Sequence, residues 1–231
     1  MSLDRKLAWA GLLLGIAALV PALKEAGWAW ALLLVVFLLA VGGYLVYSEW
    51  SSTRTAVTVL SLEKKVVIRD REGINADLIR TQKIRVNQGW LHEYWFRNMV
   101  ADGAFGPFTI DGEPPAQESR LGCLVSYSKR FHRPLAKGTV REVKLECTAR
   151  DCFRERHEGL LHDCAQDTKL LILKVELPAD RLCREAGLLL EAAGEPSKEL
   201  EKPDISGDFR TITATVNNPK PGFTYNLHWK W

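Results

Sequence analysis

The chain has 231 residues and a net charge of +3, with 31 Lys and Arg against 28 Asp and Glu. Setting aside the strongly apolar first 50 residues leaves 181, room for one ordinary soluble domain with a sizeable core. The five cysteines (Cys123, Cys147, Cys152, Cys164 and Cys183) are odd in number and share no repeating spacing, which argues against a disulfide framework and for a reducing compartment.

Residues 1–50 read as two apolar runs. Leu7–Leu23 and Gly27–Ser48 carry no charge, and only Lys24 and Glu25 interrupt them. At helical rise each run is about 25–33 Å long, enough to cross a hydrocarbon core of roughly 30 Å. The short link makes a tight antiparallel transmembrane hairpin the expectation. Gly11, Gly15 and Ala18 lie near one face of the first span, and Gly42 and Gly43 fall in the second, where small residues let helices pack closely. Arg5 and Lys6 precede the first span, and Arg54, Lys64 and Lys65 follow the second. The excess of positive charge at both ends predicts a two-pass protein of a bacterial inner membrane with both termini in the cytoplasm. Neither span holds an ionisable residue at its centre, which excludes the usual apparatus of a transporter or proton relay.

From residue 51 onward the periodicity changes to two. Thr55–Leu62 and Lys64–Asp70 read as strands, with a turn at Arg71–Gly73. Asp77–Gln88 alternates, but with Arg80 and Gln82 on the same side as Leu78, Ile84 and Val86. Neither face is purely apolar, so this strand is expected near an edge or a wet groove. Trp90–Val100 fits a strand or a short helix. Leu121–Phe131 and Val140–Ala149 read as strands, and Arg150–Gln166 as a polar, helix-compatible connection. Thr168–Pro178, Gly187–Gly194, Phe209–Asn218 and Phe223–Trp231 complete the series, with a charged loop over Glu195–Gly207. About nine or ten short strands with turn residues between them predict an antiparallel β-sandwich or barrel for 51–231. The expected fold class is thus a transmembrane helical hairpin followed by an all-β soluble domain.

No nucleophile elbow, Walker A loop or dinucleotide fingerprint occurs, so no enzyme activity is expected. Cys147, Cys152, His157, His162 and Cys164 are metal-ligand types close in sequence. Their spacings do not place them on one helical face, and His157-Glu158 to His162 is one residue too long for a metalloprotease helix. Neither a metal nor a cofactor is expected. The stronger set is basic and aromatic: Arg80, Lys83 and Arg85 on one strand; Lys129, Arg130, His132 and Arg133 on another; and Trp90, Tyr94 and Trp95 between them. Phosphates call for Arg and Lys, and bases for flat rings. The same residues also suit the bland arrangement of rings in the core and charges in water.

The layout of two short spans and a β-rich domain resembles the membrane effectors of bacterial anti-phage defence. The resemblance implies that the β-domain senses an anionic nucleotide messenger, such as a cyclic nucleotide, and that the hairpins oligomerise to disrupt the lipid membrane. The segments TKLLILKVELPADR and NNPKPGFTYNLHWKW also look similar to a β-sandwich end found in assorted bacterial multidomain proteins. The alternative role is an inner-membrane scaffold whose β-domain docks a protein partner from the same system.

Overall fold

Alternating burial, set by β-branched and aromatic residues at every second position, organises residues 57–231 of a computed structural model that describes 57–99, 103–121, 124–192 and 196–231. Fifteen strands occur among these residues. They are β1 (Val57–Ile68), β2 (Asn75–Val86), β3 (Trp90–Met99), β4 (Ala104–Phe105), β5 (Thr109–Ile110), β6 (Gln117–Leu121), β7 (Leu124–Ala136), β8 (Val140–Arg150), β9 (His157–Asp163), β10 (Leu170–Glu176), β11 (Glu185–Glu191), β12 (Lys198–Glu199), β13 (Asp204–Ile205), β14 (Thr211–Asn217) and β15 (Thr224–Lys230).

The largest sheet runs β13-β14-β10-β1-β2-β8-β4, with β5 also pairing on β8. Its pairs are antiparallel except one: β1 and β10 run parallel, with Leu62 beside Leu171 and Val66 beside Val175. A four-stranded sheet runs β12-β11-β15-β9, and a three-stranded sheet runs β3-β7-β6. One face of the large sheet is ionic and solvated, with Lys65 and Lys174 both reaching Glu176, and Lys144 reaching Glu146. The other face is the core. It presents Leu62, Val66 and Ile68 from β1, Leu171, Leu173 and Val175 from β10, Ile212 and Ala214 from β14, and Val143, Leu145 and Ala149 from β8. Tyr225, Leu227 and Trp229 of β15 and Tyr94 and Phe96 of β3 join the same buried cluster.

Two turns show how the sequence fixes the long hairpins. Between β1 and β2 the Asp70 carboxylate accepts the backbone N–H groups of Ile74 and Asn75, each at 2.8 Å. Gly73 there has φ +71°, and a Cβ at that position would lie 1.6 Å from the Phe153 carbonyl oxygen, so only glycine fits. Between β7 and β8, Gly138 at φ +86° lets its N–H donate to Val86 O at 2.8 Å. This bond anchors the turn to the end of β2.

Several expectations are corrected. The fold class of a helical hairpin plus an all-β domain gives way to an all-β fold: the described residues contain no helix, and so none long and apolar enough to cross a membrane. The hairpin over 1–50, with Gly11, Gly15, Ala18, Gly42 and Gly43, lies outside the described residues. The two strands expected before Asp70 are one strand, β1, with a bulge at Leu60 between the paired residues Val59 and Ser61. β2 is not an edge strand; it lies between β1 and β8. Trp90–Met99 is a strand, and the helix-compatible connection contains β9, an edge strand whose exposed residues mimic a polar helix.

Candidate anion site at the seam between the two smaller sheets

The four-stranded and three-stranded sheets both contact the inner face of the large sheet, and their edge strands β9 and β3 come together over its middle. Register determines what lies beneath that seam. One rung across the large sheet reads Ala214, Leu173, Lys64, Arg80, Leu145 and Ile110. The next reads Leu171, Leu62, Gln82 and Val143. Two cations therefore face each other at the centre of an otherwise aliphatic surface, a pairing that costs stability in a sheet.

Each cation reaches up to a carbonyl of one edge strand. Lys64 Nζ donates to Leu161 O of β9 at 2.6 Å. Arg80 Nη1 donates to Arg97 O of β3 at 3.1 Å, and its guanidinium carbon lies 5.8 Å from the Phe96 ring centroid. Beside them Tyr94 Oη lies 3.1 Å from Gln82 Oε1 and 3.3 Å from Gln166 Oε1. One hydroxyl hydrogen serves only one of these oxygens at a time. Gln82 is fully buried, and its Nε2 has no hydrogen-bond partner among the described residues. A buried donor left without an acceptor costs about 1–3 kcal/mol.

Burial and neighbouring charge act together on the titrating groups. Lys64 is held down to about 8 from 10.5, chiefly by burial, then by Arg80, with Asp163 opposing. Burial, followed by the charges of Arg80 and Lys64, holds His162 well below 6.5, so its imidazole is neutral at pH 7. Burial pushes Tyr94 up to about 12. A cavity of about 20 Å³ opens here, lined among others by Leu62, Arg80, Arg97, His162, Gln166 and Thr168. That volume holds about one water-sized group. The small space is walled by Arg80, Arg97, His162, Gln166 and Thr168, with Asp163 as the one carboxylate. Half-buried Lys64, its neighbour Arg80, the Gln82 amide and the Tyr94 hydroxyl lie next to that wall.

The predicted binding residues do not converge. Arg80 and Tyr94 are in the seam. Lys83 and Arg85, at odd positions of β2, are exposed on the opposite face of the sheet. Lys129 pairs with Glu113 at 2.5 Å. Arg130, His132 and Arg133 are exposed along β7, and Trp90 is 66% exposed at the start of β3. Trp95 faces the other side of the three-stranded sheet from Tyr94, against Arg97, Ser119, Leu121, Leu124 and Ser126. Lys64, Gln166 and His162 are the members that the basic-aromatic pattern missed. The signal for Lys64 was its place in the alternation of Leu62, Val66 and Ile68.

Cys147, Cys152, His157, His162 and Cys164 are distributed over β8, a turn, and β9 and its exit. Among the described residues no group of three or more His, Cys, Asp or Glu stands close enough to hold a metal ion. Burial raises the thiol pKa values of Cys147, Cys164 and Cys183.

No protein-family model matches the chain, and no curated protein matches it. Among solved structures it is similar to an M1 zinc metallopeptidase from Deinococcus radiodurans, at 11% identity and a TM-score of 0.44, over 75% of this chain and 43% of that one. A putative nutrient-binding protein from Legionella pneumophila matches at 9% identity and 0.46, over 76% and 67%. A putative protease from Parabacteroides distasonis matches at 9% and 0.44, over 77% and 41%. The chain thus spans under half the length of the metallopeptidase. Likenesses this distant carry no functional argument.

Proposed function

We propose that the β-domain is a non-enzymatic binding module that takes an anionic group at the seam. The observation that carries this reading is the pairing of half-buried Lys64 and Arg80 in one rung of the inner face, beside the Gln82 Nε2 that has no partner among the described residues. An anion placed there offsets the repulsion between the two cations and gives the amide an acceptor. The small volume admits a halide or one oxygen of an oxyanion, with the rest of the group outside. A nucleotide messenger of the kind sensed by defence effectors would insert one phosphate oxygen and leave the rest of the molecule outside.

Thermal melting of the purified chain with inorganic phosphate, pyrophosphate, chloride and a panel of cyclic nucleotides tests this. A ligand at about ten times its Kd stabilises by ~1.4 kcal/mol, a rise of roughly 3–6 °C for a domain of this size. Arg80→Met and Lys64→Met should each remove the rise. A flat response to every anion refutes the reading.

Docking of a protein partner is the second reading. It is favoured by the apolar strip of Trp95, Leu121 and Leu124 on the outer face of the three-stranded sheet, where Leu121 is 78% exposed.

A further inference from the structure

β6 forms one edge of the three-stranded sheet: it pairs with β7 from Gln117↔Ser128 to Leu121↔Leu124 and has no strand on its other side among the described residues. All five of its residues, Gln117-Glu118-Ser119-Arg120-Leu121, are exposed. Natural sheets commonly protect such edges with charge, because a row of open N–H and C=O groups invites pairing. Here the charges have opposite signs and are placed symmetrically about Ser119. In an antiparallel pairing of two such strands around a two-fold axis at Ser119, Glu118 of each copy faces Arg120 of the other, and Gln117 faces Leu121. A one-residue slip of the pairing breaks this match. The charges thus oppose most pairings but favour one register of self-pairing.

We infer that β6 is a self-association edge, through which a second copy of this chain joins the three-stranded sheet into a continuous six-stranded one. Glu118 and Arg120 already lie together within one strand, with Arg120 Nε 2.5 Å from Glu118 Oε1. In the pair of copies they form a four-charge cluster of alternating sign. Backbone parity agrees with this register. Residues of an antiparallel strand alternate between facing one neighbour and facing the other, so Glu118 and Arg120 point their backbone groups to the same side. They can exchange hydrogen bonds with Arg120 and Glu118 of the second copy when Ser119 lies on the axis. Leu121, the most exposed large apolar side chain among the described residues, is partly covered by the incoming strand. A strand pair of this length buries less than the roughly 1,200 Å² of a stable standard interface, so the dimer is weak and grows with concentration. The inference is independent of the anion site and names a partner for the docking reading.

The test uses the full chain. Ser119→Cys places two thiols opposite each other on the axis, where Cα atoms of a non-hydrogen-bonded pair lie about 4.5 Å apart, within disulfide range. Mild oxidation should convert most of the variant to a covalent dimer, with little dimer from the wild-type chain under the same conditions and little from Gln117→Cys. Sedimentation should show that Arg120→Glu and Glu118→Arg each weaken wild-type association at least tenfold. The double swap Glu118→Arg/Arg120→Glu should restore it. A wild-type chain that stays monomeric at high concentration overturns the inference. So does equal cross-linking at positions 117 and 119, or a double swap that fails to rescue. Capture of a different protein at this edge without self-association also overturns it and leaves the broader docking reading standing.

Discussion

Replacing Lys64 with methionine tests the energetics of the seam directly. The folded chain holds Lys64 near 8, and the unfolded chain near 10.5. Between those values the unfolded chain binds more protons, so this group makes stability rise with pH there. Below about 8 its cost is fully present. At ~1.4 kcal/mol per pH unit the full effect is roughly 3 kcal/mol. Lys64 keeps some accessible surface, and screening trims this to about 2 kcal/mol. Methionine removes that cost but also removes the hydrogen bond to Leu161 O, worth about 1 kcal/mol. At pH 7 the variant should therefore be about 1 kcal/mol more stable than the wild-type chain. At pH 10, where folded Lys64 is mostly neutral and about a quarter of its cost remains, it should be about 0.5 kcal/mol less stable. Urea unfolding of both chains at pH 7, 8.5 and 10, followed by tryptophan fluorescence, measures the crossing. A difference that stays constant over this range, or a variant clearly weaker at pH 7, refutes the account of a charged lysine held against Arg80.

Three further outcomes follow from the same structure. His162 has a folded pKa well below 6.5, so acidification below that point should destabilise the wild-type chain by up to ~1.4 kcal/mol per pH unit; His162→Gln should flatten that slope in urea melts taken from pH 7 to 5. Gly73→Ala meets both a positive φ and the Phe153 carbonyl, and should cost at least ~2 kcal/mol, whereas Gly112→Ala, with open space around it, should cost only the backbone strain of about 1–2 kcal/mol; chemical denaturation separates the two. Buried Cys147, Cys164 and Cys183, with raised pKa values, should resist iodoacetamide in the native chain while half-buried Cys152 reacts first among the described cysteines, as peptide mapping would show.

The strands were legible because burial on one face of a sheet forces period-two patterning, and Leu170–Glu176, Thr211–Asn217 and Thr224–Lys230 show it in nearly every residue. β9 was hidden because an edge strand with His157, Leu161 and Asp163 exposed carries the composition of a polar helix. Lys64 was hidden for a different reason. Lys64-Lys65 reads as a break between two strands, whereas the structure points one lysine inward and the other to Glu176. That Lys64 lies against Arg80, and both against His162, is long-range register, which no local pattern encodes. The aromatic set failed by parity: Tyr94 and Trp95 are successive residues of one strand, so a sheet must send them to opposite faces. The polar character of the Arg80 face was visible in the alternation, but its reason, a seam between two covering sheets, lies in the tertiary arrangement.

The parallel pairing of β1 with β10 has a consequence during synthesis. β1 gains β2 as a neighbour almost at once, but its other border awaits residues 109 positions further along, from Val66 to Val175. At roughly 5–20 residues per second that border stays open on the ribosome for about 5–20 s. Lys64 and Lys65 sit in the middle of it, where a pair of positive charges discourages adhesion between nascent chains. The lysine that strains the finished seam would then also act as a guard while the strand waits for its partner.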